Sequence, residues 1–120
     1  MVYYRIFGLI TILCLGGCIH CDPWSKADKW REVAYLSVHT VDWLQTRGAD
    51  WERFYETNPI LGNAPGRGRT DIYFITTGLL HVAVTHIIPA DWRPWWQYIS
   101  LGFETGVVAN NYRIGMRINF

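Results

Sequence analysis

The sequence has little net charge and no run of basic residues. Lys and Arg total 11 against 10 Asp and Glu, which leaves a formal net charge of +1. Proteins that bind nucleic acids usually concentrate positive charge on one face or one helix. We therefore expect no nucleic-acid partner.

The common catalytic and metal-binding motifs are also missing. The sequence contains no Gly-x-Ser-x-Gly, no His-Glu-x-x-His, no pair of Cys-x-x-Cys motifs and no Walker phosphate loop. Its three cysteines all lie within the first 21 residues and are too few for a disulfide framework. No enzymatic activity can be named from the sequence, and we lean towards a protein that is not an enzyme.

The first residues have the properties of an export signal. Arg5 is the only charged residue before Asp22, and residues 6–15 form an apolar core of about the length found in signal peptides. Such a segment directs the rest of the chain to or across a membrane. We therefore place the protein in the cell envelope.

The apolar core ends in the sequence Leu-Gly-Gly-Cys at residues 15–18, which resembles a bacterial lipobox. In a lipobox the small residues enter a signal peptidase and the cysteine thiol receives a diacylglyceryl group. We expect residues 1–17 to be a signal peptide, Cys18 to carry a covalent lipid, and residues 18–120 to form one small domain. An uncleaved N-terminal membrane helix is the main alternative.

Three later segments are predicted to be helical. Residues 30–46 place apolar side chains at helical spacing without Gly or Pro. Residues 71–88 contain no Lys, Arg or Glu and end before Pro89, and a helix of this length approaches the thickness of a hydrocarbon core. Residues 95–111 are mostly apolar and include one acid.

Aromatic residues flank these stretches. The chain has seven Trp and seven Tyr, and several of the Trp lie beside apolar segments, which is typical of aromatic belts at a membrane–water interface. We predict an all-α fold: a small helical membrane bundle of about three helices with a short extended C-terminal tail. A small water-soluble core rich in aromatic residues is the alternative.

Residues 112–120 alternate between apolar and polar side chains, which is strand periodicity. A terminal Phe after such alternation resembles the last strand of an outer-membrane protein. An outer-membrane β element is therefore a further alternative, although the chain has few other alternating segments.

Ionisable residues lie near the midpoints of the three predicted helices. His39, His81 and Glu104 lie at or beside those midpoints, and Asp42 follows His39 by one helical turn. Ionisable groups at membrane depth turn towards the inside of a bundle. The four side chains predict a polar cluster that holds a divalent metal, relays protons between His81 and Glu104, or joins helices by hydrogen bonds.

A second pattern surrounds the connection between the first two helices. Asp42-x-x-x-Thr46 is followed by Glu56-x-Asn58-Pro59. This pattern resembles one in small uncharacterised bacterial and phage helical membrane proteins. The resemblance implies a helical integral-membrane fold and brings no established activity. Taken alone, the loop motif of Glu56, Asn58 and Pro59 is expected to form a rigid turn.

These observations favour a small lipid-anchored or integral protein of the cell envelope with a structural or interaction role. Its expected partners are the membrane and another envelope protein, and phage origin agrees with the resemblance. The inner membrane is favoured over the outer membrane. The alternative is a membrane-embedded metal-binding or hydrolase-like protein that uses His39, Asp42, His81 and Glu104.

Overall fold

The computed structural model describes residues 21–120, and the elements within this range are three α-helices with no β-strand. They are α1 (Lys26–Arg47), α2 (Arg67–Ile87) and α3 (Arg93–Arg113). The all-α class with three helices is confirmed, and each helix starts a few residues earlier than predicted. The predicted signal peptide over 1–17 and the lipid on Cys18 lie outside the described residues.

Local chemistry explains where the helices begin and end. Ser25 caps α1 through a reciprocal pair of hydrogen bonds with Asp28, in which Ser25 Oγ accepts from the Asp28 amide and Asp28 Oδ2 accepts from the Ser25 amide. Gly48 follows the last turn of α1. Pro94 lies in the first turn of α3, where a missing amide hydrogen costs no helical bond.

The predicted strand over 112–120 is wrong. α3 continues to Arg113, and residues 116–120 have no regular secondary structure. The chain turns at Gly115, whose φ of 93° favours glycine, and the Met116 amide then donates to the Asn111 carbonyl at 2.9 Å. The tail therefore folds back onto the end of α3.

α1 is the central helix of the bundle. It packs against both other helices, whereas α2 and α3 contact each other much less. Glu32 meets α2 at His81 and α3 at Gln97, and His39 meets α2 at Phe74 and α3 at Glu104. α1 is therefore antiparallel to α2 and parallel to α3.

The weak contact between α2 and α3 leaves an interhelical groove of about 1180 Å³. α1 contributes Tyr35, His39 and Asp42 to its lining, and the two flanking helices contribute apolar side chains that include Leu80 and Phe103.

The interior of the bundle is polar. Among the described residues, the buried large hydrophobic side chains are only Tyr35, Leu61, Phe74 and Met116. The buried polar and charged set is larger: Asp28, Glu32, His39, Asp42, Gln45, Thr46, Thr70, His81, Thr85, Arg93, Gln97 and Glu104. Within residues 21–120, no helix combines the length and the average apolarity of a membrane span.

The contact between Gly48 and the C-terminal tail gives a direct test of the fold. A Cβ at position 48 would lie 2.3 Å from the backbone oxygen of Asn119. We expect Gly48→Ala to displace the tail and to lower the unfolding free energy by about 1–3 kcal/mol, measured by thermal unfolding and by proteolysis of residues 114–120. The control is Gly68→Ala, because a Cβ there has no neighbour within 4 Å. Equal resistance of the tail to proteolysis in both variants would contradict the packing of the tail on Gly48.

Candidate functional site

One face of α1 carries a continuous polar stripe. Asp28, Glu32, His39, Asp42 and Thr46 are all buried, and the steps between successive members are four, seven, three and four residues. This spacing places them on a single side of the helix. The stripe faces α2 and α3, so every helix contact in the bundle includes polar groups.

The centre of the candidate site is the pair formed by Glu32 and His81. Glu32 Oε1 lies 2.7 Å from His81 Nδ1, and both side chains are about 95% buried, with exposures of 5% and 4%. Two further groups donate to Glu32 Oε2, namely Gln97 Nε2 at 2.8 Å and Thr85 Oγ1 at 3.1 Å. Three side chains from α2 and α3 therefore meet at one carboxylate of α1.

The donors around Glu32 define the tautomer of His81. Gln97 and Thr85 both donate to Glu32, which is the pattern of an ionised carboxylate. A carboxylate only accepts hydrogen bonds, so His81 Nδ1 must carry a proton to bond with it. The second ring nitrogen, Nε2, is then the polar atom of His81 that remains for another partner.

His81 Nε2 has no hydrogen-bond partner among the described residues, although it is buried. The ring lies between two aromatic side chains, with centroid distances of 3.6 Å to Tyr35 and 4.8 Å to Trp96. Stacking fixes the plane of the imidazole, and Glu32 fixes its rotation. A buried polar atom without a partner costs about 1–3 kcal/mol, so this nitrogen is a candidate binding atom.

His39 lies about two helical turns after Glu32 on α1 and has partners for both ring nitrogens. Nδ1 bonds with Glu104 of α3, and Nε2 lies 3.0 Å from the Phe74 carbonyl and 3.2 Å from Thr77 Oγ1 in α2. His39 therefore joins the three helices and has no nitrogen left for a ligand. This arrangement suits a structural role.

The four residues of the predicted cluster are all buried and line one groove, but their hydrogen bonds divide them into separate groups. His39 pairs with Glu104, whereas His81 pairs with Glu32, so His81 and Glu104 do not bond with each other, and the relay between them stays a prediction. Asp42 Oδ1 instead accepts from Asn111 Nδ2 at 2.8 Å. Within residues 21–120, no three His, Cys, Asp or Glu side chains are placed to hold a metal ion, and the candidate metal set is not retained.

The loop motif is held together mainly by hydrogen bonds between its own side chains and backbone amides. Glu56 Oε1 accepts from the Asn58 amide at 2.8 Å, and Asn58 Oδ1 accepts from the Ile60 amide at 3.0 Å. Asn58 Nδ2 reaches α2 through the Tyr73 hydroxyl at 2.8 Å. Pro59 lies inside this hydrogen-bonded turn. The geometry is that of a rigid connection.

Sequence reasoning missed Glu32, Gln97 and Arg93. Arg93 is fully buried, and its guanidinium donates to the carbonyls of Thr85, Asp22 and Pro23. The signal for Glu32 was its position on the polar stripe of α1, four residues after Asp28 and seven before His39. The same kind of signal marked Gln97, which lies four residues after Arg93 and seven before Glu104.

Comparison with protein-family models, with curated proteins and with solved structures finds no match to this chain. The resemblance based on Asp42, Thr46, Glu56, Asn58 and Pro59 therefore stays a prediction. Function has to be inferred from the geometry of the bundle itself.

Breaking the Glu32–His81 pair should destabilise the bundle. Removing one member of a buried pair costs about 3–5 kcal/mol, so Glu32→Gln is expected to lower the midpoint of thermal unfolding clearly. Glu52→Gln is the matched control because Glu52 is exposed in the connection after α1. If both variants unfold at the same temperature, the pair does not hold the bundle together.

Proposed function

We propose that this chain is a small helical protein embedded in the membrane of the cell envelope, with a structural or interaction role. The observation that carries the proposal is the distribution of polarity, which is the reverse of that in water-soluble domains. Buried charged residues are rare in soluble proteins, and contiguous exposed apolar surface marks contact with a membrane or a partner.

The outer surface of the helices is apolar over most of their length. Exposed large hydrophobic residues occur on all three helices, among them Val33, Ile72, Ile75, Leu79 and Phe103. In the stretches 30–46, 72–85 and 94–112, the charged and His side chains are Arg31, Glu32, His39, Asp42, His81 and Glu104. Five of these are buried, and Arg31 is bonded to Asp28 and Gln97. Each helix thus turns its ionisable groups inward, which lowers its average apolarity without charging its outer face.

Hydroxyl groups on the outer surface are compatible with a hydrocarbon environment. Ser37, Thr40 and Thr105 are exposed, and each donates to the carbonyl four residues earlier at 2.6–2.7 Å. Such hydroxyls have satisfied their own donor without water. In lipid, an unsatisfied donor would be costly.

The dimensions and the aromatic residues agree with this environment. Helices of 21 or 22 residues are about 31–33 Å long, which is close to the hydrocarbon thickness of a bilayer. Trp30, Trp92 and Trp95 are exposed where α1 and α3 begin, and Tyr55 and Tyr112 are exposed at the opposite end. Aromatic residues at both ends are typical of membrane interfaces.

Basic residues suggest an orientation. Arg47, Arg53, Arg67, Arg69, Arg113 and Arg117 lie at the end that contains the connection after α1, whereas Lys26, Lys29, Arg31 and Arg93 lie at the other end. Cytoplasmic ends tend to carry more Lys and Arg. We infer that the connection and the C-terminal tail face the cytoplasm. A protein with one face in the cytoplasm lies in the inner membrane.

One pair of substitutions tests the membrane environment directly. Leu79, near the middle of α2, and Ile60, in the connection before α2, are both 67% exposed. In water, Arg at either position would be tolerated, whereas an Arg at bilayer depth costs about 2.5–3.5 kcal/mol on insertion scales. We expect Leu79→Arg, but not Ile60→Arg, to lower the amount of carbonate-resistant protein in membranes and the unfolding midpoint in lipid nanodiscs. Equal, small effects of both substitutions would rule the proposal out.

The lipid predicted on Cys18 has its own control. We expect metabolic labelling with an alkyne fatty acid to mark the wild-type chain and Cys21→Ser, but not Cys18→Ser. Cys21 is an exposed free thiol three residues later, so it matches Cys18 in position and chemistry. Mass spectrometry of the mature N-terminus then identifies the modification, and label that depends on Cys21 would contradict the assignment.

A further inference from the structure

We propose that the interhelical groove binds an amphiphile with an uncharged hydroxyl head, whose hydroxyl donates to His81 Nε2 and whose acyl chain lies along α2 and α3. This inference rests on the proposed membrane environment, which supplies such molecules. It adds a ligand site to a bundle whose other buried histidine serves only to join helices.

The ligand's head is specified by the polar floor of the groove. His81 lines the groove, is 4% exposed, and has its Nδ1 committed to Glu32, so in the neutral imidazole the unpartnered Nε2 accepts from a donor. Nε2 itself is covered, and seating a hydroxyl beside it requires a side-chain movement in the groove wall.

The charges along the groove exclude an anionic head. Asp42, Glu56 and Glu104 are among the lining residues, and no Lys or Arg of the described chain is. A carboxylate or phosphate would meet like charge, and the two imidazoles of the lining, His39 and His81, are already bonded to Glu104 and Glu32. The carboxylates of the lining already have partners in the protein, since Glu104 bonds with His39, Asp42 with Asn111 and Glu56 with the Asn58 amide, so an ammonium head gains no unpaired carboxylate there. A neutral hydroxyl gives Nε2 a donor and brings no further charge into the groove.

The walls of the groove specify the tail. Leu80 and Val84 line it from α2, and Ile99, Phe103 and Val107 line it from α3. Leu80, Ile99 and Phe103 are also exposed on the outside of the bundle, so the groove is continuous with the apolar surface. A chain can therefore enter sideways from the hydrocarbon phase while its head approaches α1.

The test compares three probes with the same C18:1 chain, namely monoolein, oleate and oleylamine, by tryptophan fluorescence of the full chain in detergent. We expect monoolein to bind at least tenfold more tightly than oleate or oleylamine. Tryptophan fluorescence reports this binding because Trp96 lines the groove and stacks on His81. Equal binding of monoolein and oleate would overturn the proposal, and so would preference for oleylamine.

Two adjacent leucines of α2 supply the matched variants. Leu80 lines the groove and Leu79 does not, while both are largely exposed. Leu80→Trp should weaken monoolein binding about tenfold and Leu79→Trp should leave it unchanged; equal effects would overturn the site. His81→Phe retains the stacked ring. It should bind monoolein about tenfold more weakly, which is the loss of affinity expected for one hydrogen bond.

The two leucine variants decide the location of the site if His81→Phe does not fold. All measurements are made on purified chain in detergent, so they give a result whether or not the chain is a membrane protein in the cell. If none of the probes binds but Leu79→Arg lowers the amount of carbonate-resistant protein in membranes, the ligand site is ruled out. The proposed function is then unaffected.

Discussion

The hydrogen bond between the Glu32 carboxylate and the His81 imidazole is the interaction on which the bundle depends. It joins α1 to α2, and Gln97 brings α3 to the same carboxylate. Few large apolar side chains are buried, so burial of hydrocarbon cannot by itself hold these helices together. In a medium without water, buried polar groups have no competing solvent, and helix association relies on packing and interhelical hydrogen bonds of this kind.

The two histidines, His39 of α1 and His81 of α2, show how similar residues acquire different roles. His39 satisfies both of its nitrogens with groups on the other two helices, whereas His81 satisfies one. Both rings contact Tyr35, at centroid distances of 5.4 Å and 3.6 Å. The difference comes from α2, which offers the Phe74 carbonyl to His39 and offers no acceptor or donor to His81 Nε2. Geometry at the level of single nitrogens thus separates a structural histidine from a candidate binding residue.

The helices could be predicted from the sequence, but the pairing of their polar groups could not. Apolar runs, Gly48 and Pro89 are local signals, and they located α1 to α3 to within a few residues. Whether His81 meets Glu104 or Glu32 depends on the axial register of packed helices, which local sequence does not encode. The strand prediction for the tail failed for a related reason. Alternation at 112–120 is a local pattern, whereas a strand needs a neighbouring strand to bond with, and the described residues offer none.

Arg93 also fixes the position of the segment just before α1. Its guanidinium holds the carbonyls of Asp22 and Pro23 against the first turn of α3. Cys18 precedes Pro23 by five positions, and a fully extended chain over that distance reaches about 17 Å. If Cys18 carries the proposed diacylglyceryl group, its fatty acids would therefore have to insert close to the end of the bundle at which Trp30, Trp92 and Trp95 are exposed.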